Sequence, residues 1–396
     1  MKKTVAVVTG TRAEYGLLRR VIGYIADSDK LSLSLLVTGT HLSAAFGNTV
    51  TEIEKDGYPI AAKIDILKFG DGELATAKTV AYTTDAFARW FDCNKPDAVL
   101  VLGDRYEIFA VAAAAAMLRI PLIHISGGDV TKGAADDYFR HCITKMANLH
   151  FPSCAQYANR VIALGEPPHS VHNVGGLGDE NIRKLALLPK AELAQSLGFS
   201  LDLPYCLVTY HPETLSDIAP SQQFCALLAA LTPYLQTHRF IFTKANADAG
   251  GAKINALIDS YVQQHQSCIA FTSMGVLRYL SAMKYAAAVI GNSSSGVVET
   301  PTFGVPTLNI GNRQAGRIMC QNVLCCGSAQ SEIEQGLQTI FTQSFYQKAH
   351  ETVSPYNGGD TAKKIVQLTT DFLYSTDCAK PKEFFDVKQE HPYYGD

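Results

Sequence analysis

The chain has 396 residues, a formal net charge of −3 and 47% hydrophobic residues, a length that favours two domains over one. So even a balance of charge provides no field for attracting nucleic acid or an anionic membrane surface. The ten cysteines, at 93, 142, 154, 206, 225, 268, 320, 325, 326 and 378, form no C-x-x-C pair, and those in apolar runs read as buried reduced thiols of a reducing compartment.

Met1-Lys2-Lys3 leads directly into Thr4–Val8, a run too short for a signal-peptide core and shaped like a first strand. Nowhere do 18 apolar residues run together without a charge, so the expectation is a cytoplasmic protein. After the strand, Gly10-Thr11-Arg12-Ala13-Glu14-Tyr15-Gly16 turns into a helix carrying Leu17, Leu18, Val21, Ile22 and Ile25. The turn lacks G-x-G-x-x-G and is weak as a dinucleotide signal. Arg12 at this turn either meets a phosphate or holds the loop by an ion pair.

Leu31–Val37 is a second strand, ending in Thr38-Gly39-Thr40-His41. Phe46 to Gly57 reads as a helix, Tyr58–Ile66 as extended and Thr76–Phe91 as a long helix. Val99–Leu102 is aliphatic, too short for a core helix and stopped by Gly103, which makes it a buried parallel strand. Asp104, Arg105 and Glu107 follow at its C-terminal end. Ala110–Leu118 is a helix, and Pro121–Ile125 a strand closed by Ser126-Gly127-Gly128-Asp129. Ligands of open parallel sheets bind outside the carboxyl ends of the strands, so both polar clusters fall where a site is expected. A helix then opens at Asp136, with Asp136 and Arg140 on one face at i,i+4 and Asp137 and His141 on the next. Any one of these charges is open to a bland reading as a helix pair or dipole complement. Leu149–Phe151 reads as a strand, Ala155–Leu164 as a helix and Val171–Val174 as a further strand. Alternation of strand and helix throughout is the pattern of a doubly wound parallel sheet.

Around Leu187–Pro204 the alternation loosens and then restarts, which marks a boundary. The expected domains are 1–185 together with a return segment 367–396, and 186–366. In the second half Cys206–Thr209 delivers Tyr210-His211-Pro212-Glu213-Thr214, and Arg239–Thr243 delivers a loop with Asn246. Ala286–Ile290 delivers Gly291-Asn292-Ser293-Ser294-Ser295-Gly296, with Glu299 a turn further on, and Val305–Ile310 delivers Gly311 to Arg317. A small-residue loop entering a helix offers backbone N–H groups and hydroxyls to a diphosphate; the alternative is a serine-rich N-cap. Glu299 suits ribose hydroxyls, while Arg313 and Arg317 could supply fixed positive charge. The dispersed histidines match no metal-site spacing.

Taken together and in this order, Gly10–Gly16, Thr38–His41, Gly103–Glu107, Asp137–Lys145, His211–Thr214, Gly291–Gly296 and Gly311–Arg317 resemble the hydrolysing UDP-N-acetylglucosamine 2-epimerases of bacterial sialic acid biosynthesis. The resemblance runs from residue 3 to about 366. It implies two Rossmann-like doubly wound α/β domains facing a cleft, the GT-B fold, with the C-terminal helix crossing back to the first domain. It also implies a homodimer or dimer of dimers that uses no metal or nicotinamide cofactor. The activity it implies turns UDP-N-acetylglucosamine and water into N-acetylmannosamine and UDP through a glycal. Acid and base roles fall by resemblance on Asp104 and Asp136, with Asp137 next and His211 facing the diphosphate or sugar. Substrate contacts fall on Arg12, His41, Glu107, Arg140, Asn246, Asn292, Ser293, Ser294, Ser295, Gly296, Glu299, Arg313, Gln314 and Arg317.

One departure stands out, since many relatives carry glutamate where this chain has Ser126, and a serine is no comparable acid or base. Asp129, a bound water or a different substrate would have to compensate. The alternatives are a relative acting on the UDP-linked diacetamido sugar of the legionaminic acid route, a non-hydrolysing epimerase, a GT-B glycosyltransferase, and a nucleotide-sugar sensor without turnover. The non-hydrolysing enzymes normally begin Gly-Thr-Arg-Pro-Glu, whereas Arg12 is followed here by Ala13.

Overall fold

The computed structural model describes residues 1–44, 47–70, 72–130, 136–213, 218–245 and 250–387. The chain divides into two compact units, one built from Met1–Asn181 and Tyr356–Asp396, the other from Ile182–Pro355.

The first unit carries β1 (Lys3–Thr9), β2 (Leu31–Thr38), β3 (Ile60–Ile64), β4 (Ala98–Leu102), β5 (Leu122–Ile125) and β6 (Leu149–Phe151). They form one parallel sheet in the order β3-β2-β1-β4-β5-β6. Strand alternation sends neighbouring side chains to opposite faces. Val5 and Val7 therefore join Leu18, Ile22 and Ile365 in one core, while Ala6 and Val8 join Phe87, Phe91 and Ile108 in the other. All five residues of β4 are buried, as a strand covered on both faces requires.

The second unit repeats this plan with β7 (Tyr205–Thr209), β8 (Arg239–Thr243), β9 (Cys268–Phe271), β10 (Ala288–Gly291), β11 (Thr307–Ile310) and β12 (Val323–Cys326). Their order is β12-β11-β10-β7-β8-β9, again all parallel. Cys206 and Val208 pack with Phe224, Leu227 and Ile333, and Tyr205 and Leu207 with Leu193 and Met283 on the other face. In each sheet the strand order reverses beside the first strand, between β1 and β4 and between β7 and β10, which is where such sheets open a crevice for ligands.

The helix Thr361–Tyr374 returns to the first unit, packing Ile365, Val366 and Leu373 into the core that contains Leu18 and Ile22. At its end the Tyr374 hydroxyl donates to the carbonyls of Met1 at 3.0 Å and Lys30 at 3.1 Å. Among the described residues no helix is long and apolar enough to cross a membrane.

One sequence reading is corrected. Val171–Val174 is not a strand: Val171 makes one isolated bridge to His150, and the chain then turns through Asn173 and Gly175. The small-residue loop at Gly291–Gly296 does enter a helix, a short one. Ser295–Val298 is a single turn, and a second turn, Thr300–Phe303, starts beyond Glu299 with Pro301 near its head. Proline cannot continue a preceding helix.

Candidate active site

In the first unit the polar groups gather at the carboxyl ends of β1, β4 and β5. Asp104 follows Gly103 at the end of β4, and Arg140, almost wholly buried on the helix Asp136–Met146, forms an ion pair with it. Arg140 also holds Asp137 at 3.3 Å, one turn back on its own helix, and the other Asp137 oxygen lies 3.7 Å from His141 Nε2. Burial pushes His141 below the ordinary histidine range despite Asp137. Asp136 sits at the solvent-exposed start of that helix. Its carboxyl is pushed up by desolvation first and by the charge of Asp104 second. The two acids stand in different surroundings, Asp104 against the buried Arg140 guanidinium and Asp136 at the exposed helix start.

His124, on β5, keeps this cluster in register. It is fully buried, its Nε2 lies 2.9 Å from the Gly103 carbonyl and its Nδ1 lies 3.2 Å from Thr144 Oγ1. A carbonyl only accepts, so Nε2 carries the proton and the ring is neutral, with burial holding its pKa down at about 3. Gly127 passes so close that a Cβ there would lie 3.0 Å from both His124 Nδ1 and Thr144 Oγ1.

Beside this lies a second pair of acids. Glu14 closes a capping box with Thr11 and accepts from the Gly10 N–H at 2.7 Å. Glu107, buried and bound by Arg105 Nε at 2.5 Å, comes up on the same glycine, whose Cβ would lie 3.2 Å from its Oε1. One oxygen of each acid, Glu14 Oε1 and Glu107 Oε2, is buried with no partner. Burial, helped by Glu107, pushes Glu14 up to about 7. His41 is fully buried between Thr9 Oγ1 at 3.0 Å and Thr49 Oγ1 at 2.8 Å, which lowers its pKa to about 4 by desolvation. Arg12 is largely exposed and meets Glu52 at 3.0 Å.

Asp129 turns its carboxylate to the Val130 N–H at 2.7 Å and neighbours the Tyr157 hydroxyl, whose pKa rises through burial and then through Asp129. Ser126 adopts φ +66°, a left-handed conformation that few non-glycine residues take.

In the second unit β7, β10 and β11 end together. Gly291 has φ +134°, and a Cβ there would lie 1.9 Å from the Thr209 carbonyl oxygen, so only glycine lets these two strands meet. Asn292, fully buried, then bonds the backbone of His211 at both its N–H and its carbonyl. Its own carbonyl receives Gln314 Nε2 at 2.9 Å and Arg313 Nη1 at 3.3 Å. Glu213 accepts from the Asn312 N–H at 2.7 Å. Ser293 Oγ lies 3.2 Å from Ser295 Oγ, which also bonds the Tyr279 hydroxyl, while Ser294 makes no side-chain capping bond. Glu299, with Oε2 buried and unpartnered, is pushed by burial up to about 7. Arg317 closes the β11 loop by a backbone bond to Gln314. Asn246 and Thr214 lie outside the described residues. Glu14, His124 and Tyr279 were not selected from the sequence; for Glu14 the spacing Thr11-x-x-Glu14 is the available signal.

Two parallel Rossmann-like sheets, one ending in a cluster of carboxylates and the other in a hydroxyl- and amide-lined loop, define a GT-B-type α/β protein. The chain belongs to the UDP-N-acetylglucosamine 2-epimerase family, whose model matches residues 24–370. It is 40% identical over 387 residues to the GDP/UDP-N,N'-diacetylbacillosamine 2-epimerase (hydrolyzing) of Campylobacter jejuni, covering 98% of this chain and 100% of that one. It is 38% identical to the polysialic acid biosynthesis protein P7 of Escherichia coli, covering 98% of each. Among solved structures, the UDP-GlcNAc 2-epimerase of Neisseria meningitidis bound to UDP-GlcNAc superposes with a TM-score of 0.78 at 19% identity, covering 93% of this chain and 100% of that one.

Proposed function

We propose that the protein is a hydrolysing UDP-sugar 2-epimerase that converts UDP-N-acetylglucosamine and water to N-acetylmannosamine and UDP, the entry step of sialic acid synthesis. The observation that carries this reading is the cluster Asp104–Arg140–Asp137–His141, with Asp136 beside it, at the carboxyl ends of β4 and β5. A base takes the C2 proton while the C1–O bond breaks and UDP leaves, giving a glycal. Water then adds its hydroxyl to C1, and C2 regains a proton on the opposite face. Asp104, oriented by Arg140, and Asp136, whose carboxyl holds its proton longer, are the assigned pair, with Asp137, His141 and Asp129 in support. His211, Asn292, the Ser293–Ser295 hydroxyls, Gly296, Arg313, Gln314 and Arg317 are assigned to UDP, where donors and positive charge stabilise the leaving diphosphate. Glu299 is assigned to the ribose, Arg12 to a phosphate, and Glu107 and His41 to shaping the sugar pocket. Function as a homodimer belongs to the same reading.

A second substrate has specific support, because the Campylobacter relative is named for the diacetamido sugar. Incubation in D2O with EDTA, separately with UDP-N-acetylglucosamine and UDP-N,N'-diacetylbacillosamine, is followed by NMR. Deuterium at C2 of released N-acetylmannosamine is the expected result. Turnover of the diacetamido sugar alone moves the protein to that substrate, and turnover of neither sinks the epimerase reading.

A further inference from the structure

The helix Asp136–Met146 presents Asp136, Asp137 and Arg140 at its N-terminal end, and its C-terminal end is held by a residue from the far end of the chain. Past residue 370, where the family match stops, the chain leaves the helix Thr361–Tyr374 and runs through 381–387 without helix or strand. Three contacts fix this strap to the first unit. The Phe385 N–H donates to the Gly165 carbonyl at 2.9 Å. The Phe384 ring lies on Gly165, where a Cβ would come within 2.3 Å of it, and Lys145 Nζ stands 4.7 Å from the ring centroid. Lys382 Nζ reaches the carbonyls of Lys145 and Ala147, both at 2.6 Å, and Glu166 Oε2 at 2.7 Å.

The last carbonyls of a helix have no partner within it, and a cation placed there also complements the dipole. Lys382 supplies both. Its counter-charge is secured as well: Glu166 is fully buried, with Lys145 at 2.6 Å and His150 at 2.9 Å. Burial works against the charge on Glu166, and these hydrogen bonds overcome it, holding the carboxyl at about 2. From the same turn Thr144 meets His124, which bonds Gly103 immediately before Asp104. One rigid helix thus carries the strap's grip at one end and the site carboxylates at the other.

We propose that Lys382 is a positioning residue: by capping the C-terminal carbonyls of the helix Asp136–Met146 and closing on Glu166, it sets where Asp136, Asp137 and Arg140 stand, so that docking of the strap governs turnover. This rests on the reading of those groups as the acid–base machinery of a 2-epimerase.

The test uses the full chain with Lys382→Met, Lys382→Arg and Phe384→Ala, and with Lys380→Ala as a control at an exposed lysine just before the strap. Steady-state UDP release gives kcat and KM, and amide exchange follows residues 136–147. Lys382→Met is expected to lower kcat about tenfold with KM within about twofold, since small displacements of reacting groups cost rate more than binding. Lys382→Arg recovers most of the loss, Phe384→Ala shows a smaller one, Lys380→Ala behaves as wild type, and exchange at 136–147 quickens in Lys382→Met. Wild-type kcat and exchange in Lys382→Met, or a rise in KM alone, overturns the proposal. Where Lys382→Met folds poorly, wild-type kcat in Phe384→Ala does so instead. A wild-type protein that turns over neither sugar removes the functional reading, and unchanged exchange in Lys382→Met then separately removes the strap's hold on the helix.

Discussion

Asn292 clasps the backbone of His211 from both sides: its Oδ1 accepts from the His211 N–H at 2.7 Å and its Nδ2 donates to the His211 carbonyl at 2.9 Å. The clasp joins the ends of β7 and β10 and needs no water to satisfy a buried peptide. Asn292→Ala removes both of these bonds and is expected to cost roughly 2–3 kcal/mol in urea unfolding. UDP affinity by calorimetry falls with it. Asn292→Asp keeps the acceptor, loses the donor and falls between the two. Wild-type stability in the alanine variant would show the clasp to be idle.

Asp104→Asn keeps the size of the side chain and removes its charge. Turnover is expected to drop at least about 100-fold, the scale of a lost acid–base group, while UDP binding stays near wild type. An unchanged rate takes Asp104 out of the mechanism.

Glu14 makes stability depend on pH. Its carboxyl is raised from the ordinary 4.5 to about 7, with burial the main cause and Glu107 adding to it. The native state therefore binds the proton more tightly than the unfolded chain, so this contribution is complete below pH 4.5 and is lost as the pH rises through about 7. Glu14→Gln cannot lose a proton, and relative to wild type it should gain roughly 2–3 kcal/mol between about pH 5 and pH 8. Urea unfolding at both pH values measures this, and a constant difference refutes it. His41 acts in the opposite sense: lowered by burial from 6.5 to about 4, it contributes above pH 6.5 and ceases to do so as the pH falls toward 4.

Gly291→Ala places a methyl group 1.9 Å from the Thr209 carbonyl oxygen at φ +134°. Strand β10 must move away from β7, at a cost of about 3 kcal/mol or more. A midpoint of thermal unfolding within a degree or two of wild type would contradict that geometry.

Much of the fold is legible in the sequence, for a physical reason. Strands buried on both faces, such as Ala98–Leu102 and Tyr205–Thr209, are continuous apolar runs ended by a glycine or a polar loop. The edge strands Cys268–Phe271 and Val323–Cys326 pass unnoticed because they are short and only partly buried. Val171–Val174 misleads because its β-branched composition states a propensity that tertiary pairing does not use beyond one bridge. The break at Glu299 was available from Pro301. In the candidate site, Asp104, Asp137, Arg140 and His141, which the sequence puts near the ends of β4 and β5, are brought together in the fold. The helix pair of Asp137 with Arg140, readable from the spacing, is present at i,i+3, and Arg140 also reaches Asp104 at the end of β4, a partner that no local spacing reveals. Buried neutral His124 could not be found by spacing, since its partners are a backbone carbonyl and a threonine far apart in the chain.

The first unit draws on both ends of the polypeptide, 1–181 and 356–396, whereas the second is one continuous stretch. During synthesis the ribosome therefore releases everything the second unit needs while the first still lacks Ile365, Val366 and Leu373 from its core. A nascent chain stalled shortly before residue 361 should hold all six strands of the N-terminal sheet but leave Leu18 and Ile22 without the helix that covers them, a state chaperones recognise. Order of emergence and order of completion are thus reversed: the half made first is finished last.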